Sequence, residues 1–172
     1  MNNSSVVIRP ASFSDISGIH SIYNEAVRNT TAIWNDQETS VDNRTIWYEG
    51  RIAAGYPVFV AADGSKVLGY ATYGAFRPFE GYRRTVENSV YVLSTAQGQG
   101  IGKRLLQALL QRAEQSDIHI MVAGIEAGNE LSIKLHERYG FVETGRMREV
   151  GYKFGQFLDL VFLQKTISVL QK

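Results

Sequence analysis

The segment Gln97-Gly98-Gln99-Gly100-Ile101-Gly102 lies between a stretch that alternates like a strand and one that repeats like a helix. In residues 85–93, Val86, Val90 and Val92 fall on one face and Glu87, Ser89 and Tyr91 on the other, which predicts a half-buried strand. Ile101, Leu105, Leu106, Leu109 and Leu110 then mark a helix to about Gln115, and residues 119–125 are apolar enough for a central strand. The result is a strand, helix, strand crossover with a glycine turn at its first corner. Such a turn directs several backbone N–H groups at one anion, and the helix dipole adds partial positive charge. Gly98, Gly100 and Gly102 allow backbone angles closed to other residues and a close approach of phosphate to the main chain. Lys103 and Arg104 stand ready to add charge at its edge.

Two common phosphate loops do not fit. A dinucleotide fingerprint needs its third glycine at position 103, where the chain has Lys103, and it normally follows the first strand, whereas at least three predicted strands come earlier here. The nucleoside triphosphate loop fails because no Gly-Lys-Ser or Gly-Lys-Thr occurs. Net charge narrows the partners further: 18 basic against 17 acidic residues give no general attraction to nucleic acid or to an anionic membrane. An anionic ligand must therefore be held locally. The absence of cysteine removes disulfides, thiolate ligands and a cysteine nucleophile, and three widely spaced histidines make a histidine metal cluster an unpromising reading, so no metal is expected. No apolar run reaches the roughly 20 residues that span a bilayer, and residues 1–11 lack the apolar core of a secretion signal, so a cytoplasmic location is expected.

At 172 residues a single domain, 1–172, is the default. Residues 6–9 read as a strand before Pro10. Ser12 or Ser14 would cap a helix carrying Ile16, Ile19, Ile22, Tyr23, Ala26 and Val27. Residues 30–40 have no period and hold Trp34. A second helix covers 41–54, and strands at 58–61 and 67–76 flank a turn at Asp63-Gly64-Ser65. Residues 77–84 form a loop, 129–139 a helix ended by Gly140, and 141–146 and 157–163 two last strands.

Taken together, Gln97, Gly100 and Gly102 after a strand, then Asn129, Ser132, Leu135 and Gly140-Phe141, resemble the acetyl-coenzyme A signature of the GNAT acetyltransferases. Ile8-Arg9-Pro10-Ala11 and Ile22-Tyr23-Asn24 extend the resemblance over nearly the whole chain. Residues 85–92, Arg77-Pro78-Phe79-Glu80-Gly81-Tyr82 and Gly151-Tyr152-Lys153-Phe154-Gly155 resemble the branch acting on phosphinothricin and on methionine sulfoximine or sulfone. The resemblance implies an α/β (α+β) GNAT fold: a central mixed, mostly antiparallel twisted sheet of about seven strands flanked by about four helices. It also implies acetyl-coenzyme A as donor, the α-amino group of a small amino acid or analogue as acceptor, a detoxifying role and a two-fold homodimer.

The same resemblance assigns roles. Glu87 matches the family's catalytic glutamate, the base that frees the amine; without the match it reads as a solvated strand carboxylate. The amides of Val90, Tyr91 and Val92 face the thioester, with the Val92 N–H as oxyanion donor. Gln97 through Lys103, namely Gln97, Gly98, Gln99, Gly100, Ile101, Gly102 and Lys103, hold the pyrophosphate. Asn129 bonds the pantetheine or caps its helix, and Ser132 follows one turn later. The family often carries a tyrosine acid where this chain has His136, which stands either as that acid or as a structural histidine. Arg77 suits a substrate carboxylate, or is a solvated loop arginine. Pro78, Phe79, Tyr82, Trp34, Asn88 and Ser89 complete the acceptor pocket, although the loop aromatics are equally plausible as dimer contacts. Two rival readings remain open: a protein N-terminus or polyamine as acceptor, and a non-catalytic acyl-coenzyme A sensor that needs no Glu87.

Overall fold

The computed structural model describes residues 6–167, so the first five residues of the 1–11 stretch and the last five of the expected 1–172 domain lie outside the described residues. Strand β1 (Val7–Pro10) leads through a single turn at Phe13–Asp15 into α1 (Ile16–Asn29), then α2 (Val41–Ala53), β2 (Val58–Asp63), β3 (Lys66–Ala75), β4 (Thr85–Val92), α3 (Ile101–Glu114), β5 (Ile120–Glu126), α4 (Glu130–Arg138), β6 (Val142–Lys153) and β7 (Gln156–Thr166). The strands form one sheet in the order β1-β2-β3-β4-β5-β7-β6. All its pairings are antiparallel except that of β4 with β5. The expected seven-stranded mixed sheet and four helices are therefore present.

Side-chain alternation sorts the core onto two faces. Val58, Val60 and Tyr70 pack against Ile16, Ile19 and Ile22 of α1 and Tyr48 of α2. On the opposite face Ala71, Tyr73, Val86, Met121 and Ala123 meet Leu105, Leu106 and Leu109 of α3. Each leucine at that interface is 0% exposed, and burying one stabilises by roughly 1.5–3 kcal/mol.

Local details depart from the sequence expectation. Ser12 caps the short Phe13–Asp15 turn rather than α1, whose cap is Asp15. The Asp15 carboxylate accepts from Arg9 at 2.7 and 2.8 Å and from the Ser12 amide and hydroxyl, and its pKa falls to about 2, chiefly through the Arg9 hydrogen bonds. Strand β6 runs on to Lys153 instead of ending at Arg146. Its register slips between Met147 and Gly151, where Glu149 has φ 53°, and such a bulge interrupts the two-residue alternation that a sequence reading follows. Phe154 (φ 51°) and Gly155 (φ 77°) close the β6–β7 hairpin, the pair of positive φ angles that a type I′ turn requires.

Candidate active site

The one parallel pairing opens the sheet. β4 and β5 are joined only at Thr85↔Ile120, Val86↔Met121 and Glu87↔Val122, while β5 stays paired with β7 along its whole length. Beyond Glu87 the two strands diverge, and the backbone edge of β4 loses its partner. The Leu93 amide donates to Leu68 of β3. Because successive amides alternate sides, Val92 and Val90 direct theirs toward the gap.

Two adjoining cavities fill that gap, of 320 and 670 Å³, and both touch Ala32, Val90, Tyr91, Glu126 and Asn129. The smaller also meets Trp34, Glu87, Asn88, Ser89, Gly124, Ser132 and His136. The larger extends to Val92, Ser94, Gln97 and Phe154. Together they form an elongated trough from Glu87 to the glycine turn, suited to an extended molecule rather than a small ion.

At the turn, Gly98 (φ 77°) and Gly100 (φ 74°) are left-handed, and Gly100 is the N-cap of α3. Those two positions require glycine. Gly102 does not: a Cβ there would meet Leu135 and Val92 at ordinary contact distances. The first-turn amides of α3 have no partner four residues back and are available to an anion. Lys103 is exposed beside them. Arg104 turns away and donates to the Val6 carbonyl, so it adds no charge at the turn.

Glu87 sits between two glycines. Gly74 of β3 is its register partner, and a Cβ on Gly124 of β5 would stand 2.7 Å from its Oε1. Burial raises its carboxyl pKa above the ordinary value, and Arg77 and then Arg51 oppose the rise. A half-buried carboxylate kept partly protonatable in a cleft has the properties of a general base.

Asn88 points to the other face. Its amide donates to the Val122 carbonyl, and its Oδ1 is 3.1 Å from His136 Nε2. His136 is 3% exposed, its Nδ1 lies 2.8 Å from the Ser132 carbonyl oxygen, and burial lowers its pKa against the opposing effect of that carbonyl. Both ring nitrogens thus face protein groups. The Asn129 Oδ1 accepts from the Ser132 amide as the α4 cap, so capping is one of its functions, and its side chain lines both cavities. Trp34 lines the smaller cavity, donates to the Thr31 carbonyl and lays its ring on Gly151.

The loop after β3 is less closely engaged. Arg77 is exposed, stacks 4.4 Å from the Phe76 ring and donates to the Phe76 carbonyl. Pro78, Phe79 and Tyr82 are exposed as well, and Tyr82 packs edge-on against Phe76. None of these four lines the two cavities.

Three residues escaped the sequence reading. Arg51 reaches over Gly74 from α2, and its spacing of four from Trp47 was the available signal. Glu126 lines both cavities and accepts from the Thr31 hydroxyl and the Gly128 amide. Lys153, 1% exposed, donates to the carbonyls of Val27, Thr30 and Ile33 at 2.7, 2.7 and 2.5 Å, tying the end of β6 to the loop that carries Ala32 and Trp34. Among the described residues, no group of three or more His, Asp or Glu side chains could hold a metal, and no helix is long and apolar enough to cross a membrane.

Residues 19–141 match the family model described as acetyltransferase (GNAT) family. The L-methionine sulfoximine/L-methionine sulfone acetyltransferase of Pseudomonas aeruginosa is 53% identical over 95% of this chain and 96% of its own. An L-amino acid N-acyltransferase of Escherichia coli is 50% identical over 91% of each chain. Among solved structures, a GNAT superfamily phosphinothricin acetyltransferase from Sinorhizobium meliloti in complex with acetyl-coenzyme A superposes with a TM-score of 0.91 at 35% identity, covering 95% of this chain and 89% of its own. A diverging strand pair, a left-handed glycine turn at a helix start and these likenesses agree: the chain belongs to the acetyltransferase (GNAT) family.

Proposed function

We propose that this acetyltransferase moves the acetyl group of acetyl-coenzyme A to the α-amino group of a small amino acid whose side chain ends in oxidised sulfur or phosphorus. The observation that carries the reading is the half-buried Glu87 carboxylate at one end of a trough that runs to the glycine turn. The named substrates of the similar proteins, methionine sulfoximine and sulfone and phosphinothricin, support the acceptor class.

Acetyl-coenzyme A supplies an activated acetyl thioester. The chain's own residues do the remainder. Gln97 to Lys103 hold the pyrophosphate, with the first-turn amides of α3 donating to it. Asn129 and Ser132 bond the pantetheine arm, and the Val90 and Val92 amides steady its thioester oxygen as negative charge develops there. Glu87 removes a proton from the acceptor ammonium, directly or through one water, so that nitrogen attacks in a ternary complex without a covalent acyl-enzyme. Arg77 takes the acceptor carboxylate, and Trp34 and Ser89 wall the pocket. For His136 the acid role requires giving up Asn88, so we assign it the holding of Asn88 and α4, with the thiolate leaving unassisted.

We place the enzyme in the cytoplasm as a homodimer. The edge strand β6 supports a dimer, since Met147, Val150 and Tyr152 are exposed along it beside Phe157 of β7. Sedimentation at micromolar concentration should give twice the 19.2 kDa chain mass; a 19.2 kDa species would remove the dimer.

A panel of free amino acids, polyamines and peptide N-termini, read by thiol release, tests the function. Turnover confined to free amino acids is expected. Preference for a peptide or polyamine, or binding of acetyl-coenzyme A without turnover on any acceptor, would refute it.

A further inference from the structure

Helix α2 sets Arg44, Trp47 and Arg51 three and four residues apart, hence on one face. The Arg44 guanidinium lies 4.1 Å from the Tyr23 ring centre and 5.1 Å from that of Trp47, and the Arg51 guanidinium stands 5.9 Å from Trp47. The aromatic stack thus steers Arg51 toward the sheet, where it lies on Gly74: a Cβ at that position would be 1.2 Å from a terminal nitrogen of Arg51. Gly74 is the register partner of Glu87, and directly opposed strand residues share a face at about 5 Å. A cation therefore rests one strand away from the catalytic carboxylate, in space that only a missing side chain provides.

The guanidinium is also unengaged. Among the described residues it forms no hydrogen bond and no ion pair; it rests against the Trp47 ring and the Gly74 backbone, while Tyr56, Tyr91 and Glu87 favour its charge through space and Arg44 opposes it. Burial lowers its pKa, so its charge is only partly compensated by the protein. Five fixed donors in a fork match two oxygens diverging from one atom.

We propose that Arg51 is a specificity-determining residue that hydrogen-bonds the oxygens at the side-chain end of the acceptor, the sulfone, sulfoximine or phosphinate group, while the amine faces Glu87. The inference rests on the proposed acceptor class. An amino acid of that class has two oxygen-bearing ends, and two guanidinium groups act on Glu87, Arg77 from the β3–β4 loop and Arg51 from α2. With Arg77 on the carboxylate, the second fork is matched by the second end. A thioether offers only a weak acceptor, and a site built to bond oxygens rejects an analogue without them.

The test compares kcat/KM for methionine sulfone and for methionine, at saturating acetyl-coenzyme A, in the full-length wild type, Arg51→Ala, Arg51→Lys and Gly74→Ala. Arg51→Ala should lose at least about 30-fold on the sulfone and less than about threefold on methionine. Arg51→Lys should not restore the sulfone preference, because a point charge lacks the fork. Gly74→Ala keeps every donor but displaces the fork, and should show the same selective loss, which guards against misfolding of the arginine variants. Equal losses on both acceptors, or no loss on the sulfone, would overturn the assignment while leaving the proposed function intact. A wild type that acetylates neither amino acid would instead overturn the proposed function, and this assignment with it.

Discussion

Gly124→Ala is the sharpest perturbation of the site that removes no functional group. The new Cβ would stand 2.7 Å from Glu87 Oε1, whereas ordinary contact begins at 3.4 Å, so the carboxylate must retreat by about 0.7 Å. Its other neighbours, Phe162 and Leu160 at 3.6 and 3.8 Å, accept the methyl without moving. The φ angle at Gly124 is not in the left-handed region, so alanine brings no backbone strain. A misplacement of 1 Å costs on the order of 100-fold in rate, and a shift of this size should lower kcat by roughly 10- to 100-fold. The assay is thiol release at saturating acceptor and acetyl-coenzyme A, alongside calorimetric binding of acetyl-coenzyme A and a thermal melt. Cofactor affinity should hold within about threefold, and the melting temperature within about 3 °C. A kcat within about twofold of wild type, in a protein that melts normally, would refute the claim that the position of this carboxylate limits the reaction.

Lys153→Met leaves three carbonyls without their charged donor and should cost about 3 kcal/mol or more, seen as a melting temperature lower by roughly 6–12 °C. An unchanged melt would deny the lysine its role in fastening the Trp34 loop. Asp15→Asn should lower stability at pH 7 by on the order of 2 kcal/mol. The folded carboxyl titrates at about 2 and its reference value is 3.8, so that stabilisation is complete above about pH 4 and vanishes as pH falls toward 2. Denaturant melts at pH 7 and pH 2.5 check it, and an equal gap at both would contradict the sign. Because burial raises the Glu87 pKa and the base must be ionised, the acid limb of kcat/KM should lie above the reference carboxyl value of 4.5; a limb below it would exclude Glu87 as its source.

Much of this arrangement was legible in the chain. Residues 85–93 and 101–115 carry clean two-fold and helical periods, and the glycine turn between them contains its own backbone requirement at positions 98 and 100. Glu87 could be placed on a strand face, but its position between Gly74 and Gly124 depends on the register of three strands, to which no local pattern points. The same holds for Arg51, which reads as a surface helix charge until β3 is laid beneath it, and for Lys153, whose acceptors lie more than 100 residues earlier. Alternation along β4 separates Glu87 from Asn88 and predicts opposite faces. That His136 would occupy Asn88 required the packing of α4.

The central claim is that Glu87 serves as the base for direct attack by the amine. The turnover of Glu87→Gln at pH 7 with saturating substrates tests it most directly. The substitution keeps shape and hydrogen bonding but removes basicity, so kcat should fall by at least about 100-fold while the acetyl-coenzyme A dissociation constant stays within about threefold. Near-normal turnover at that pH would contradict the account.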